Sequence, residues 1–177
     1  MACIKKLNKA ITYDCQLGSV GIAEMYLINF DDVSATTEGD TLDVLSITLK
    51  AGAKTIPVEC YKNGAKLTEA LKLSDVSAGL DQSIMFTLYN KGADSRFVTN
   101  ALMSGRFMAA VKLKDLNATI QLVGYKCGLE ISQADTDSNA AGGFTTITIK
   151  TPDDARGENR WGLNMAAWST VVSAKLV

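Results

Sequence analysis

The chain has 177 residues, of which 47% are hydrophobic and 21% charged, with 18 basic and 19 acidic side chains. This length and composition favour one compact domain with its own core and exclude an intrinsically disordered chain. The net charge of -1 argues against tight duplex binding, which needs a clustered basic surface.

The amino terminus is basic, but the residues after it are polar where a signal peptide would need an apolar stretch. No run approaches the ~18 apolar residues that cross a bilayer. We therefore expect a soluble protein that is not exported by the usual route. It would form a single domain with an amino-terminal arm of about residues 1–19 and a carboxyl-terminal arm of about residues 152–177.

The four cysteines, Cys3, Cys15, Cys60 and Cys127, are scattered, and the chain has no histidine to complete a mixed zinc site. An even count permits two disulfides, whereas a chain made in a reducing compartment keeps its thiols, and we predict the reduced form. Cys60 and Cys127 stand in apolar, strand-like runs. We expect both to pack as small hydrophobic side chains.

In chain order, the first strand signal is residues 21–30, which would also suit a helical face and which we interpret as a strand. Residues 42–49 and 55–61 indicate two more strands, joined by residues 51–54 at a length that suits an antiparallel hairpin. The Asn63-Gly64 turn then leads into residues 66–73. Together these segments predict a β-meander.

Residues 80–90 place alternate apolar side chains on one face of a further strand, whose other face we also expect to be covered. Next, Asp94 or Ser95 can cap a helix that ends at Ser104-Gly105. The apolar stripe of this helix, which would lie over a sheet, consists of Phe97, Val98, Ala101 and Leu102. The same spacing leaves Arg96, Thr99 and Asn100 toward solvent or a neighbouring molecule.

Strand signals resume at residues 106–113 and 118–131, with a turn at 115–117. Gly124 and Gly128 inside the second run suggest a bulge or a close backbone approach. Residues 132–143 are small, polar and acidic and predict a long mobile loop. The clearest strand is residues 145–150, where isoleucines alternate with polar side chains.

The last segment is charged at first and then apolar, and it carries both tryptophans, Trp161 and Trp168. An apolar tail of this kind must cover something. The tryptophans could form a lid on the core or anchor an interface, since tryptophan is enriched at binding hot spots. The sequence leaves both readings open.

Little in the chain indicates catalysis. Without histidine, the commonest general base and the usual partner of a serine or cysteine nucleophile are missing. Carboxylate pairs occur at Asp31-Asp32, Asp135-x-Asp137 and Asp153-Asp154, and a glycosidase needs only two such groups. All three pairs stand in turn-like polar segments, so we interpret them as solvated loop acids and expect no enzyme activity.

Binding motifs for cofactors are also missing. Residues 135–139 superficially resemble the start of a calcium loop but lack its sixth-position glycine and closing glutamate. Neither a P-loop nor a dinucleotide fingerprint occurs. The basic residues Lys5, Lys6, Lys9, Arg156 and Arg160 cluster at the two ends, and we favour solvated charge over phosphate contacts. We expect no cofactor and no metal.

The order of predicted elements is a β-meander, one helix, two strands, a polar loop, a final strand and an apolar arm. With the segments 124–131 and 144–149 around the acidic loop, it resembles the major tail, or tail tube, proteins of tailed bacteriophages. The resemblance covers residues 21–150. It implies a mainly β fold, an antiparallel sandwich or barrel with one flanking helix and extended loops or arms.

This resemblance also implies a function. Copies would close into rings, commonly of six, and the rings would stack into a tube that conducts DNA without reading its sequence. The partners would be other copies and other tail or neck proteins, with no membrane, in a virion assembled in a bacterial cytoplasm. The rival hypotheses are a head-tail connector, a capsid decoration protein and a non-catalytic binding module. The candidate inter-subunit contacts are Lys5, Lys6, Arg96, Asn100, Asp135, Asp137, Asn139, Arg160, Trp161 and Trp168.

Overall fold

The computed structural model describes residues 21–74, 77–115, 117–139, 142–155 and 157–176. The described chain is mainly β, which confirms the predicted fold class, and it carries two α-helices where one was predicted. The strands are β1 (Ile22–Asn29), β2 (Val33–Glu38), β3 (Asp43–Leu49), β4 (Ile56–Val58), β5 (Ala65–Ser74), β6 (Ser77–Leu88), β7 (Phe107–Leu113), β8 (Ile120–Val123), β9 (Glu130–Thr136), β10 (Thr145–Lys150) and β11 (Trp161–Leu163). The helices are α1 (Ala93–Ser104) and α2 (Met165–Ser173).

The strands form two sheets. One has seven strands in the order β2-β3-β11-β8-β7-β1-β4, and the other has four in the order β5-β6-β10-β9. Neighbouring strands are antiparallel except for β3 and β11, which run parallel. The chain passes between the sheets several times, so most of the pairing joins residues that are far apart in the sequence.

Two hydrophobic cores lie on opposite faces of the seven-stranded sheet. The first is shared with the four-stranded sheet and with one end of α1, and it includes Met25, Leu27, Phe86, Leu102, Val111, Ile147 and Ile149. The second is covered by α2 and includes Tyr26, Ile28, Val44, Met108, Leu122, Trp161, Trp168 and Val171. The molecule therefore has three layers, namely sheet, sheet and helix.

The sequences of β1 and β7 follow from this layering. In β7 all residues from Phe107 to Val111 are buried, and alternate residues enter the two cores. A strand that is covered on both faces needs an apolar run without strict alternation. This double burial explains why residues 21–30 suit a helical face as well as a strand, and the prediction of a strand there is confirmed.

The predicted meander is wrong. β3 does not pair with β4 but with β2, which the sequence analysis missed, and with β11. β4 pairs with β1 in the same sheet, whereas β5 belongs to the other sheet. The Asn63-Gly64 segment closes a short 3-10 turn between the two sheets, with Asn63 at φ +60°. A turn signal shows where the chain reverses but does not show which strands it joins.

Residues 118–131 are not one strand. They form β8 and β9, which lie in different sheets and are separated by a turn from Gly124 to Gly128. Both glycines have positive φ, +71° and +72°, which other residues adopt only with strain. The glycines therefore mark the crossing between sheets rather than a bulge.

The predicted loop at 132–143 is shorter than expected, because its first residues continue β9. Asp135 lies opposite Thr146 of β10, while Asp137 and Asn139 lie in the connection between the two strands. Five consecutive polar or small residues in this edge strand concealed it, since they lack a buried face. Their side chains are exposed.

The carboxyl-terminal residues do not form an arm. β11 lies inside the seven-stranded sheet, between β3 and β8, and α2 covers the second core. Trp161 is 2% exposed and Trp168 is 5% exposed. The tryptophans are therefore part of the core of their own chain. Of the two interpretations of the sequence, this is the lid on the core and not the interface anchor. The amino-terminal arm lies outside the described residues.

The predicted helix is confirmed as α1, but its details differ. Gly92 is the N-cap and makes no side-chain bond there, so neither Asp94 nor Ser95 caps the helix. Leu102 alone of its residues is fully buried, whereas Phe97 is 75% exposed. The helix lies at the end of the sandwich, where only part of its apolar stripe meets the core.

The outer face of β6, which we expected to be covered, is only partly covered, because Met85 is exposed.

Candidate functional site

The hairpin of β5 and β6 is the longest two-stranded element of the structure. Its strands pair over ten positions, from Ala65 opposite Phe86 to Ser74 opposite Ser77. The next strand, β10, accompanies β6 only from Ser83 to Leu88. The part of the hairpin nearer its tip therefore extends past β10, and beside it the backbone of Glu158 makes a single bridge to Leu80.

Four residues of this extension share the inner face of the hairpin and form what we call the hairpin patch: Leu71, Leu73, Ala78 and Leu80. On this face Ala65, near the start of β5, is buried in the first core. Farther along the same strand, Leu71 is 68% exposed and Leu73 is 69% exposed. Leu71 lies opposite Leu80, and Leu73 lies opposite Ala78. The face that fills the core thus continues outward, and none of the described residues covers Leu71 and Leu73.

A polar network holds the middle of the hairpin, where the hairpin begins to extend past β10. Glu69 accepts a hydrogen bond from Gln82 at 2.8 Å and pairs with Arg160 at 2.5 Å, and its side chain is only 9% exposed. The amide oxygen of Gln82 in turn accepts from the backbone N–H of Gly124 at 3.0 Å. This arrangement gives the predicted contact residue Arg160 a partner within its own chain. It also fixes the direction in which the hairpin extends.

A second set of contacts lies on the outer face of the hairpin. The Lys72 ammonium donates to the backbone carbonyls of Pro152 and Asp153, at 3.2 and 2.9 Å. Gly79 and Gly157 approach so closely that a side chain at either would strike the backbone of the other. Because one set of contacts holds the middle of the hairpin and the other holds its outer face near the tip, we expect the hairpin to be rigid.

The strand β5 is also an edge of the four-stranded sheet. An edge strand presents backbone N–H and C=O groups that a further strand can pair with. Ten residues make β5 a long edge, and Lys66 and Lys72 are its basic side chains. The hairpin therefore offers two means of association, an apolar face and a backbone edge that pairs with no other described strand.

Glu158 links the carboxyl-terminal segment by hydrogen bonds to the turn from Gly124 to Gly128, which joins the two sheets. Its carboxylate accepts from the backbone N–H groups of Lys126, at 2.7 Å, and of Cys127, at 3.3 Å. The residue is 2% exposed, and burial raises the pKa of this carboxyl, while the two hydrogen bonds oppose the rise. The contacts are those of a structural group, because its oxygens are turned to the backbone.

A second feature is an apolar groove beside α1, of about 520 Å³, which we call the α1 groove. Its apolar lining consists of Leu27, Ile56, Pro57, Val58, Phe86, Leu88, Phe97, Val98, Ala101, Leu102, Phe107 and Leu176. Two carboxylates, Glu59 and Asp94, also line it, and none of the lining residues is lysine or arginine. Phe97 stands exposed at its side, so the groove is open to solvent.

Comparisons with protein-family models, curated proteins and solved structures gave no match. No helix of the described chain is long and apolar enough to cross a membrane. Across those same described ranges, no three acidic, cysteine or histidine side chains cluster as metal ligands would.

The remaining predicted contact residues lie on separate elements. Arg96 and Asn100 are exposed on α1, and Asp135, Asp137 and Asn139 are exposed on β9 and the turn after it. Lys5 and Lys6 lie outside the described residues. Of the two described cysteines, Cys60 packs against the first core, and burial raises the pKa of both thiols. Neither lies in a strand, contrary to the prediction.

Sequence reasoning missed the residues of the hairpin patch and Phe97. Leu71 and Leu73 continue the alternation of an ordinary inward-facing strand, so the sequence signals burial for them. Only the lengths of the neighbouring strands reveal that they are uncovered. A useful signal was nevertheless present, because residues 66–73 and 80–90 are long for strands that must be covered along their full length.

Proposed function

We propose that the chain is a structural subunit that assembles with copies of itself, of the kind that builds the tail tube of a bacteriophage. The observation that carries the proposal is the rigid hairpin with two exposed leucines on its inner face. Large apolar side chains that share one exposed face and stand beside a free strand edge are typical of an association surface.

The free energy available from this surface is substantial. Full burial of a leucine side chain is worth about 1.5–3 kcal/mol. In the proposed assembly, the hairpin patch meets a different surface on the next copy, so that the contact is head-to-tail. Such head-to-tail contacts form closed rings when the rotation closes, or open filaments when it does not.

The step from assembly to a tail tube rests on the resemblance described above. In that interpretation the subunits form rings, commonly of six, that stack into a channel for passive DNA passage. The net charge of -1 fits a channel wall that does not hold DNA through phosphate contacts. A head-tail connector or a capsid decoration protein would use the same kind of surface and stays an alternative within the same class.

A second candidate function is a non-catalytic binding module, which the α1 groove favours. A concave, mostly apolar site of several hundred cubic ångströms is the usual form of a small-molecule pocket. In this case the protein would remain a monomer, and an apolar ligand would raise its thermal midpoint. The two functions therefore predict different behaviour of the purified chain.

Electron microscopy and analytical ultracentrifugation of the purified full-length protein test the proposal. We expect rings or hollow tubes in the micrographs and a concentration-dependent rise in sedimentation coefficient. A species that sediments as a monomer at the highest attainable concentration, with no particles on the grid, would contradict it. Rings that never stack would favour a connector over a tube subunit.

A further inference from the structure

We propose that the α1 groove binds the amino-terminal segment of the same chain, residues 1–20, through Ile4, Leu7 and Ile11. This inference does not depend on the proposed assembly, because the groove and the hairpin patch have no residue in common. It gives an occupant to an apolar concavity of about 520 Å³. Three features of the segment support it, namely its apolar spacing, its charge and its reach.

The spacing of the apolar residues suits a groove. Ile4, Leu7 and Ile11 stand at positions i, i+3 and i+7, the pattern by which one helical face enters an apolar cleft. Seven residues at about 1.5 Å each would carry the three side chains along about 10 Å of groove. The walls they would meet are aliphatic and aromatic, including Val58, Leu88 and Phe97.

The charges are complementary. Between the three apolar positions stand Lys5, Lys6 and Lys9, and before Asp14 the segment has no acidic residue. The groove presents the carboxylates of Glu59 and Asp94 and, among its lining residues, no cation. Exposed ion pairs of this kind add little affinity, but they select a basic segment over an acidic one and orient it.

The segment can reach the groove without help from another copy. It joins the described chain at Gly21, whose carbonyl accepts from the backbone N–H of Lys114 at 3.1 Å. The groove lies toward the other end of β1, at Leu27 and Asn29, about 20 Å away by the rise of a strand. Residues 12–20, if extended, span about 30 Å. Because the segment is tethered, its effective concentration at the groove is in the millimolar range for a short linker.

The test is a photo-cross-link from the groove. Phe97, which is exposed at the side of the groove, is replaced by p-benzoylphenylalanine in the full-length protein, and mass spectrometry locates the cross-linked peptide. An equal mixture of isotopically light and heavy chains shows whether the link is within one chain. We expect a link to a peptide within residues 1–11 that joins light to light and heavy to heavy.

A matched pair of substitutions shows whether the apolar face is what binds. Leu7→Asp places a charge on the face, and Asn8→Asp places the same charge beside it. We expect Leu7→Asp to lower the cross-link yield by about tenfold or more and to increase binding of an apolar fluorescent dye, while Asn8→Asp leaves both nearly unchanged.

Three results would overturn the inference. One is a cross-link that avoids residues 1–11, as expected if the groove holds a small apolar ligand. Another is a link that joins light chains to heavy chains, which would make the occupant a second copy. The last is an equal effect of the two substitutions. The first and third results say nothing about whether the protein assembles, whereas a link between light and heavy chains would itself report contact between copies. Ultracentrifugation of the same variants measures assembly separately.

Discussion

Replacing Leu71 and Leu73 with aspartate should weaken self-association without unfolding the subunit. The two residues are 68% and 69% exposed, which amounts to about 1.4 leucine side chains of apolar surface. At about 1.5–3 kcal/mol for a leucine, burial of this surface at a contact would contribute about 2–4 kcal/mol. Its loss corresponds to association that is about 30- to 1,000-fold weaker at each contact. Sedimentation over a range of protein concentrations measures the change.

The matched control is the double substitution Thr68→Asp and Ala70→Asp, which adds the same charge to the same strand on its opposite, exposed face. We expect it to change association much less. Both double variants should unfold within about 0.5 kcal/mol of the wild type, because the replaced side chains contribute little to the core. An equal loss of association in both variants would show that charge on β5, rather than the hairpin patch, opposes assembly. If neither changes it, the hairpin lies outside the interface.

Three further predictions concern the stability of the subunit. Because burial raises the pKa of Glu158, the folded state binds the proton of this carboxyl more tightly than the unfolded state does. In urea unfolding, the wild type should therefore gain stability relative to Glu158→Gln as pH falls from 7 toward 4.5. A stability difference that does not vary with pH would contradict this prediction. Trp168→Ala should cost about 3–5 kcal/mol in the same assay, whereas Met165→Ala, on the exposed side of α2, should cost less than about 0.5 kcal/mol. Gly124→Ala combines a φ of +71° with a new Cβ only 2.5 Å from the Leu129 side chain, and it should lower the free energy of unfolding by about 2–5 kcal/mol. The control Gly52→Ala, at φ +79° with no atom within 4 Å of the new Cβ, should lower it by about 1–2 kcal/mol. Equal thermal shifts would mean that the collision with Leu129 is relieved.

Local patterns predict this fold only where a strand is covered on one face. β10 is a case in point, because Ile147 and Ile149 are buried between polar neighbours that are not. The helix α1 is likewise visible in the sequence, since its apolar spacing ends at a glycine. The exposed strand β2 was missed because no residue from Val33 to Glu38 is buried. A strand held mainly by backbone bonds leaves little trace in the hydrophobic pattern.

The pairing of the strands could not be predicted from local patterns for a different reason. β11 lies beside β3 although more than one hundred residues separate them, and its three residues could belong to many structures. The burial of Trp161 and Trp168 follows from this pairing and from α2, so the sequence alone could not decide between a lid and an anchor. The candidate site had the same difficulty, because Leu71 and Leu73 differ from core leucines only in what lies opposite them.

The position of β11 has a consequence for how the protein is made. Among the described strands, β2 and β3 join the rest of the seven-stranded sheet through β11, so this pairing cannot form until residues 161–163 have been synthesised. Until then a growing chain leaves the apolar faces of β3 and β8 without their neighbour, and contacts of such long sequence separation form slowly. Chains that stop before Trp161 would therefore lack a complete second core. A late strand at the centre of a sheet thus makes completion of the second core depend on synthesis of the chain through residue 163.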